Sequence, residues 1–233
     1  MHPAQQSSLA IDVVSDVVCP WCYIGKRRLE AALAELRAGD PVLAVRMRWH
    51  PFQLNPELPA EGIDRAEYIR AKWGSVERAA QNYQRVGAAG TSAGLSLNFD
   101  AIKRQPNTLD AHRLIAWAQA QPDGGDRLDA LVEALFAAYF VEGRWVGDRS
   151  VLAELARESG FDHDGAVRFL ESAELASEVS DADLRARQMG IEGVPFFIFD
   201  GRVALSGAHE PATMLQAIAQ ARTAARQEIG NGQ

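Results

Sequence analysis

Along this chain the spacing of hydrophobic and polar positions changes period several times, and each change marks an element. From Leu9 to Val14 apolar, mostly β-branched residues run together, as in a strand covered on both faces. The run breaks at Cys19-Pro20-Trp21-Cys22. From Tyr23 to Ala38 the apolar residues Leu29, Ala32, Leu33 and Leu36 recur at intervals of three and four. That spacing predicts a helix, with Pro20 at its first position and Gly39 as the closing C′ residue. Between Val42 and Trp49 the period becomes two: Val45, Met47 and Trp49 alternate with Arg46 and Arg48, which reads as a half-exposed strand. A helix joining these two strands implies a parallel βαβ unit with a right-handed crossover.

His50-Pro51-Phe52-Gln53-Leu54-Asn55-Pro56 then leaves the sheet as a proline-punctuated loop. From about Gly62 to Gly190 the pattern is helical nearly throughout. Asp64-Arg-Ala-Glu67 is a capping-box-like start for a helix through Trp73, and Ser75 caps the next. Gly87 to Asp100 reads as a loop with a short extended piece at Leu95–Phe99. Pro106-Asn107-Thr108 opens another helix, which Pro122-Asp-Gly-Gly breaks. Leu128, Leu131, Val132, Leu135, Phe136 and Tyr139 form an apolar stripe that Gly143 ends, a pattern of core packing. Val151–Ser159, Asp164–Leu170 and Ala173–Met189 follow as helices, with Asp148, Asp162 and Asp164 as caps.

The last unit returns to strands. Phe196–Phe199, Asp200-Gly201 and Arg202–Leu205 form a hairpin signal, and Pro211 leads into a terminal helix with Met214, Leu215, Ile218 and Ala221 on one face. The expected architecture is α/β: a four-stranded sheet built from residues 1–61 and 191–233, with a helical block, residues 62–190, inserted between its halves.

Composition narrows the function. The chain has 233 residues and a net charge of −7, so it lacks the basic face that nucleic acid or an anionic membrane would need. Met1 to Ala10 contains neither a basic n-region nor an apolar h-region, and no run of eighteen apolar residues occurs. These features suggest a cytoplasmic protein. In that compartment a cysteine pair is more often transient and catalytic than a structural staple.

The chain has two cysteines. A strand-loop-helix junction puts Cys19 at the tip of a helix, where unsatisfied N–H groups and the positive dipole end favour a thiolate. Cys19 is therefore the expected exposed attacker. Cys22, one turn deeper, is the thiol expected to resolve a mixed disulfide. Trp21 is expected outside, as an apolar contact for the partner. Asp12 and Asp16 oppose the helix field if close in space, so a reducing or isomerising role is favoured over a purely oxidising one. The same spacing also suits half a zinc site or two space-filling cysteines. There is no third cysteine, and His50, His112, His163 and His209 are scattered singly, so no metal is expected. His50, Asn107 and His112 could face the thiols, or serve as a strand-end residue, a helix cap and a packed side chain. Pro195 precedes an apolar strand, where a missing ladder donor is tolerated.

Taken together, C-P-W-C after the first strand, the helical insertion and G-V-P-F-F-I-F before a hairpin resemble the thioredoxin-fold proteins of the DsbA family. Within it the chain is most similar to the cytoplasmic FrnE-type branch, related in fold to 2-hydroxychromene-2-carboxylate isomerases and kappa-class glutathione transferases. W-H-P-F-Q-L-N-P at Trp49–Pro56, P-N-T-x-x-A-H-R-L at Pro106–Leu114 and F-x-x-Y-F at Phe136–Phe140 extend the resemblance. It implies a thioredoxin fold with Cys19 as nucleophile, Cys22 as resolving thiol and Pro195 as a cis-proline. The Val194 backbone would then be left to order a substrate, with Pro20 and Trp21 beside it. Protein or low-molecular-weight thiols and disulfides are the implied partners, with no cofactor beyond glutathione as a candidate co-substrate. The competing expectations are a glutathione-dependent isomerase or transferase acting on a small aromatic compound, and a peptide-binding module around Trp21 and Pro195. Those isomerase and transferase relatives generally carry a serine where Cys19 stands.

Overall fold

A computed structural model of the protein describes residues 8–122 and 124–231; Met1–Ser7, on which the leader-peptide expectation rests in part, lie outside the described residues. The first strand, β1 (Ser8–Ser15), is followed by helix α1 (Pro20–Gly39) and strand β2 (Ala44–Pro51). β1 and β2 pair in parallel, as the helical connection requires. The sheet is completed by β5 (Phe196–Phe199) and β6 (Val203–Ser206), in the order β2-β1-β5-β6, with β5 antiparallel to both neighbours. Asp200 and Gly201 both have positive φ, 50° and 65°, in a turn that the Arg202 N–H closes onto Phe199 O at 3.0 Å; with Phe199 opposite Val203, the hairpin loop has three residues. The Asp200 carboxylate also accepts from the Ala10 N–H at 2.8 Å, tying the turn to β1.

Alternation along β1 divides its side chains between two layers. Ile11 and Val13 stand opposite Phe199 and Phe197, on the face covered by α1 and by the terminal helix α9 (Pro211–Asn231). Val14, on the other face, joins a smaller cluster with Phe52, Ala186 and Ile191. The first layer is continuous with the helical block: one buried cluster includes Leu9, Ile11 and Val13 together with Leu114, Leu135, Phe136, Leu152 and Leu170.

Between β2 and β5 the chain forms α2 (Arg65–Trp73), α3 (Val76–Ser92), α4 (Leu109–Gln119), α5 (Gly124–Ala137), α6 (Arg149–Glu158), α7 (His163–Glu171) and α8 (Ala176–Gln188). Asp64, Ser75, Asp148 and Asp162 cap α2, α3, α6 and α7 with their side chains. α5 continues as a π-helical turn over Ala138–Glu142, and Gly143 ends it at φ 70°. Among the described residues no helix is long and apolar enough to cross a membrane.

Several expectations are corrected. α1 runs through Gly39, and Asp40 closes it by donating its N–H to Leu36 O, so Gly39 is not a left-handed cap. α3 continues to Ser92 through what reads as a glycine-rich loop. Leu97 packs over Gly90, its Cδ1 2.8 Å from where a Cβ would sit. Leu95–Phe99 forms no strand; a 3-10 turn follows at Phe99–Ala101. The block is also not purely helical, since β3 (Ile63–Asp64) pairs with β4 (Arg104–Gln105). Asp164 lies in the first turn of α7 and does not cap it.

Two glycines of α1 have opposite packing. A Cβ on Gly25 would meet Pro195 Cγ at 2.9 Å and Phe197 at 3.1 Å, whereas one on Gly39 would meet nothing within 4 Å. Gly25→Ala should destabilise the protein by about 1–3 kcal/mol through overpacking. Gly39→Ala should stabilise it by roughly 0.5–1 kcal/mol through helix propensity. Urea unfolding of the two variants measures both signs.

Candidate active site

The site begins where β1 ends. After Ser15 the chain turns, and the Cys19 N–H donates to Asp16 O at 3.0 Å. Cys19 is the N-cap of α1, with extended backbone (φ −95°, ψ 111°), and Pro20 occupies the first turn as expected. The Cys19 side chain is not spent on capping the helix, and no acidic residue lies in the first turn to offset the dipole. Cys22 follows one turn along. The two cysteines approach to 3.4 Å and are both unbridged thiols.

Cys19 is not the exposed attacker that its place at the helix tip suggests. It is only 5% exposed, because Val18, Trp21 and Leu54 close around it and the 193–194 segment lies against it. Its Sγ donates to the Val194 carbonyl at 3.5 Å. The bond from Val194 to Pro195 is cis, and the Pro195 carbonyl accepts from the Gly207 N–H at 2.8 Å. Cys19, Pro20, Trp21 and Val194 thus share one wall of a groove of about 260 Å³. Pro195 lies behind that wall, against Gly25.

Cys22 is 2% exposed. Burial first, then the neighbouring Cys19 sulfur, push its thiol well above the usual cysteine range; the Ser15 hydroxyl and the Asp16 backbone act the other way without prevailing. The two acidic residues expected to bear on the thiols are otherwise engaged. Asp16 is fully buried and accepts from the Leu54 N–H at 2.7 Å and faces His112 Nε2 at 3.3 Å. Burial works to raise Asp12, but Arg48 and His50 outweigh it and hold the carboxyl below its ordinary value. His50 is therefore bound to Asp12 at 2.7 Å on the sheet. Thr108, and not Asn107, is the N-cap of α4; Asn107, one residue earlier, accepts from the Leu109 N–H at 2.9 Å and donates to Leu58 O, clasping the loop.

Directly after Cys22, α1 is fastened to α5. The Tyr23 hydroxyl donates to Glu133 at 2.6 Å while its ring stacks on Phe136, centroids 5.0 Å apart. Burial and Glu133 push the Tyr23 phenol up to about 12. Lys26, 2% exposed, pairs with Glu30, Asp129 and Glu133. Among the described residues no group of three or more His, Cys, Asp or Glu side chains could hold a metal ion.

The far wall of the groove escaped the sequence reading. It consists of Arg65, Tyr68, Lys72 and Trp73 from α2 and of Tyr83, Phe99 and Phe140. Residues 65, 68 and 72 are spaced by three and four, so they share one helix face. That spacing was the available signal.

The sequence matches the DSBA-like thioredoxin domain family over residues 10–219. It is 27% identical over 197 residues to an uncharacterized protein of Bacillus subtilis, YwbO, which covers 83% of this chain and 88% of that one. The fold is similar to that of a probable DsbA oxidoreductase from Streptomyces coelicolor, with a TM-score of 0.80, 32% identity and coverage of 92% and 90% of the two chains. It is also similar to the cytosolic disulfide reductase DsbM from Pseudomonas aeruginosa, with a TM-score of 0.59, 20% identity and coverage of 94% and 98%.

The raised Cys22 thiol has two measurable consequences. In the native reduced protein iodoacetamide should modify Cys19 while Cys22 stays protonated and protected past pH 9, and both should react in the unfolded chain; fragment mass spectrometry locates the label. The folded state also holds the Cys22 proton more tightly than the unfolded state does. Stability of the reduced protein should therefore be fully present below about pH 8.5 and decline as pH rises above it. Cys22→Ser should flatten that slope in urea titrations.

Proposed function

The chain belongs to the DSBA-like thioredoxin domain family, and from that premise we propose that it is a thiol–disulfide oxidoreductase in which Cys19 attacks and Cys22 resolves. The observation that supports this most is the 3.4 Å approach of the two cysteines at a helix N-terminus with no acidic residue in its first turn. Cys19 as thiolate attacks one sulfur of a substrate disulfide and expels the other as a thiol. Cys22, close behind, then attacks the Cys19 sulfur and releases the second half of the substrate, leaving the protein oxidised. Reversal of both steps transfers a disulfide the other way.

Burial of both thiols supports the division of labour. Cys19 lines the groove beside Trp21 and Val194, whereas Cys22 is buried and is not among the groove's lining residues. Burial, and after it the Cys19 sulfur, keep Cys22 a thiol, and the mixed disulfide removes the second of these causes. Pro20, Trp21 and Val194 are the residues proposed to hold the incoming disulfide, with Pro195 setting the Val194 backbone from behind. Protein and low-molecular-weight disulfides are the proposed substrates, in a cytoplasmic setting. Glutathione is the proposed small-thiol partner, and DsbM, which shares the fold, has been solved with GSH.

Cys22→Ser tests the assignment. It should accumulate a mixed disulfide on Cys19 that is stable to gel filtration and released by dithiothreitol, and turnover should fall by at least about a hundredfold, as expected when a reacting group is removed. Unchanged turnover in Cys22→Ser would reject the two-thiol mechanism in favour of a glutathione-dependent isomerase or transferase.

A further inference from the structure

The groove beside Cys19 differs in charge from the rest of the molecule. The chain as a whole carries −7, yet the groove is lined by Arg65 and Lys72 and by no carboxylate. Both cations lack an ion-pair partner among the described residues. Arg65 donates to the Tyr83 hydroxyl at 2.6 Å and to Gln105 and Tyr139, all neutral oxygens. Lys72 donates to the Tyr68 hydroxyl at 2.7 Å. Asp64, the carboxylate adjacent to Arg65, is turned into the cap of α2.

One donor in the same wall is left over. The Arg65 Nε is buried and makes no hydrogen bond, while the buried Trp73 indole N–H lies toward the Tyr83 hydroxyl. A buried donor without an acceptor is costly, and native proteins leave few of them. An anion entering the groove supplies the opposite charge that Arg65 and Lys72 lack.

Aromatic rings make up the remainder. Six of the sixteen lining residues are aromatic, against 8% of the chain. Tyr83 stacks on Phe99, centroids 4.5 Å apart and 15° between planes, and Phe99 meets Phe140 edge-on. The Arg65 guanidinium is held 5.2 Å from the Tyr68 ring and 5.4 Å from the Tyr83 ring. Rings offer faces and edges to another ring, and the volume of about 260 Å³ is at the small end of ligand pockets.

We propose that the groove selects small disulfides whose captured half bears an aromatic ring and an anionic group, the ring against Tyr83 and Phe99 and the anion at Arg65 and Lys72. This rests on the oxidoreductase reading of Cys19 and Cys22. The Cys19 thiolate attacks R–S–S–R, forming Cys19–S–S–R and expelling one RS⁻. The Cys22 thiol gives its proton to solvent, attacks the Cys19 sulfur and expels the second RS⁻. Two thiols are produced, and the protein dithiol is oxidised by two electrons to the Cys19–Cys22 disulfide. Dithiothreitol returns it to the reduced form.

Single-turnover stopped flow on the reduced full-length protein tests this with three disulfides: dithiobis(nitrobenzoate), aromatic and anionic; dithiodipyridine, aromatic and uncharged; and oxidised glutathione, anionic without a ring. The wild type should show saturation with dithiobis(nitrobenzoate) at lower concentration than with the other two. Lys72→Gln, at an exposed position, should slow dithiobis(nitrobenzoate) about threefold and leave dithiodipyridine unchanged. Lys103→Gln, which makes the same change in net charge outside the groove, should alter neither. Arg65→Gln, checked for native circular dichroism, should slow dithiobis(nitrobenzoate) further. Equal slowing of all three disulfides by Lys72→Gln, equal effects of Lys72→Gln and Lys103→Gln, or earlier saturation with oxidised glutathione would overturn the proposal. Failure of the underlying reading looks different: no disulfide would then leave the wild type with a Cys19–Cys22 bond and two equivalents of released thiol.

Discussion

Gly25 lies one turn beyond Cys22 and faces Pro195 Cγ, and the space a Cβ would need is already filled. The missing side chain allows α1 to lie against the turn before β5, close enough for Cys19 to reach the Val194 carbonyl. Interiors are packed too densely to absorb an extra carbon at such a contact without shifting one of the two elements. Cys22, one turn before Gly25, is buried as well, and burial is the main reason its thiol is raised. Geometry at the site thus follows from a helix-to-strand distance, and the reactivity of its second thiol from burial.

Charge is used in two opposite ways around that contact. Behind the cysteines the buried charges are paired: Lys26 meets three carboxylates, and Asp12 is held by Arg48 and His50. Arg113, almost fully buried in α4, spends its donors on the carbonyls of Phe169, Ser172 and Glu174 as well as on Asp110. Such networks hold α1 and α4 to their neighbours, because breaking a buried pair leaves an uncompensated charge. In front of Cys19 the cations contributed by α2 meet only neutral oxygens among the described residues. Rigid, satisfied charge positions the thiols, and unsatisfied charge faces the space next to them.

The strand-helix-strand start, the Asp200-Gly201 hairpin, the capped starts of α2, α3, α6 and α7, and Pro20 in the first turn of α1 were all legible in the chain. Each depends on a local rule: side-chain period, the φ a residue tolerates, or a side chain short enough to reach its own backbone. Where the reading went astray, a distant segment had intervened. Gly87 and Gly90 look like helix breakers, but α3 runs through them, and Leu97 folds back over Gly90. The two-residue strands β3 and β4 are too short to leave a period and exist only because Gly62 to Asp64 meets Arg104 and Gln105.

The sequence by itself determined which chemistry is available: two thiols one helical turn apart at a helix N-terminus, and a proline at the start of a strand far along the chain. Spacing of this kind is a property of neighbours, so it survives without a fold. Only the tertiary structure decided how those groups are presented. Cys19 is enclosed and not exposed, because residues from 18 to 194 converge on it. Arg65 and Lys72 form a cationic wall only because α2 is brought across from the thiols. Burial and field are sums over everything nearby in space, and sequence distance carries no information about that sum.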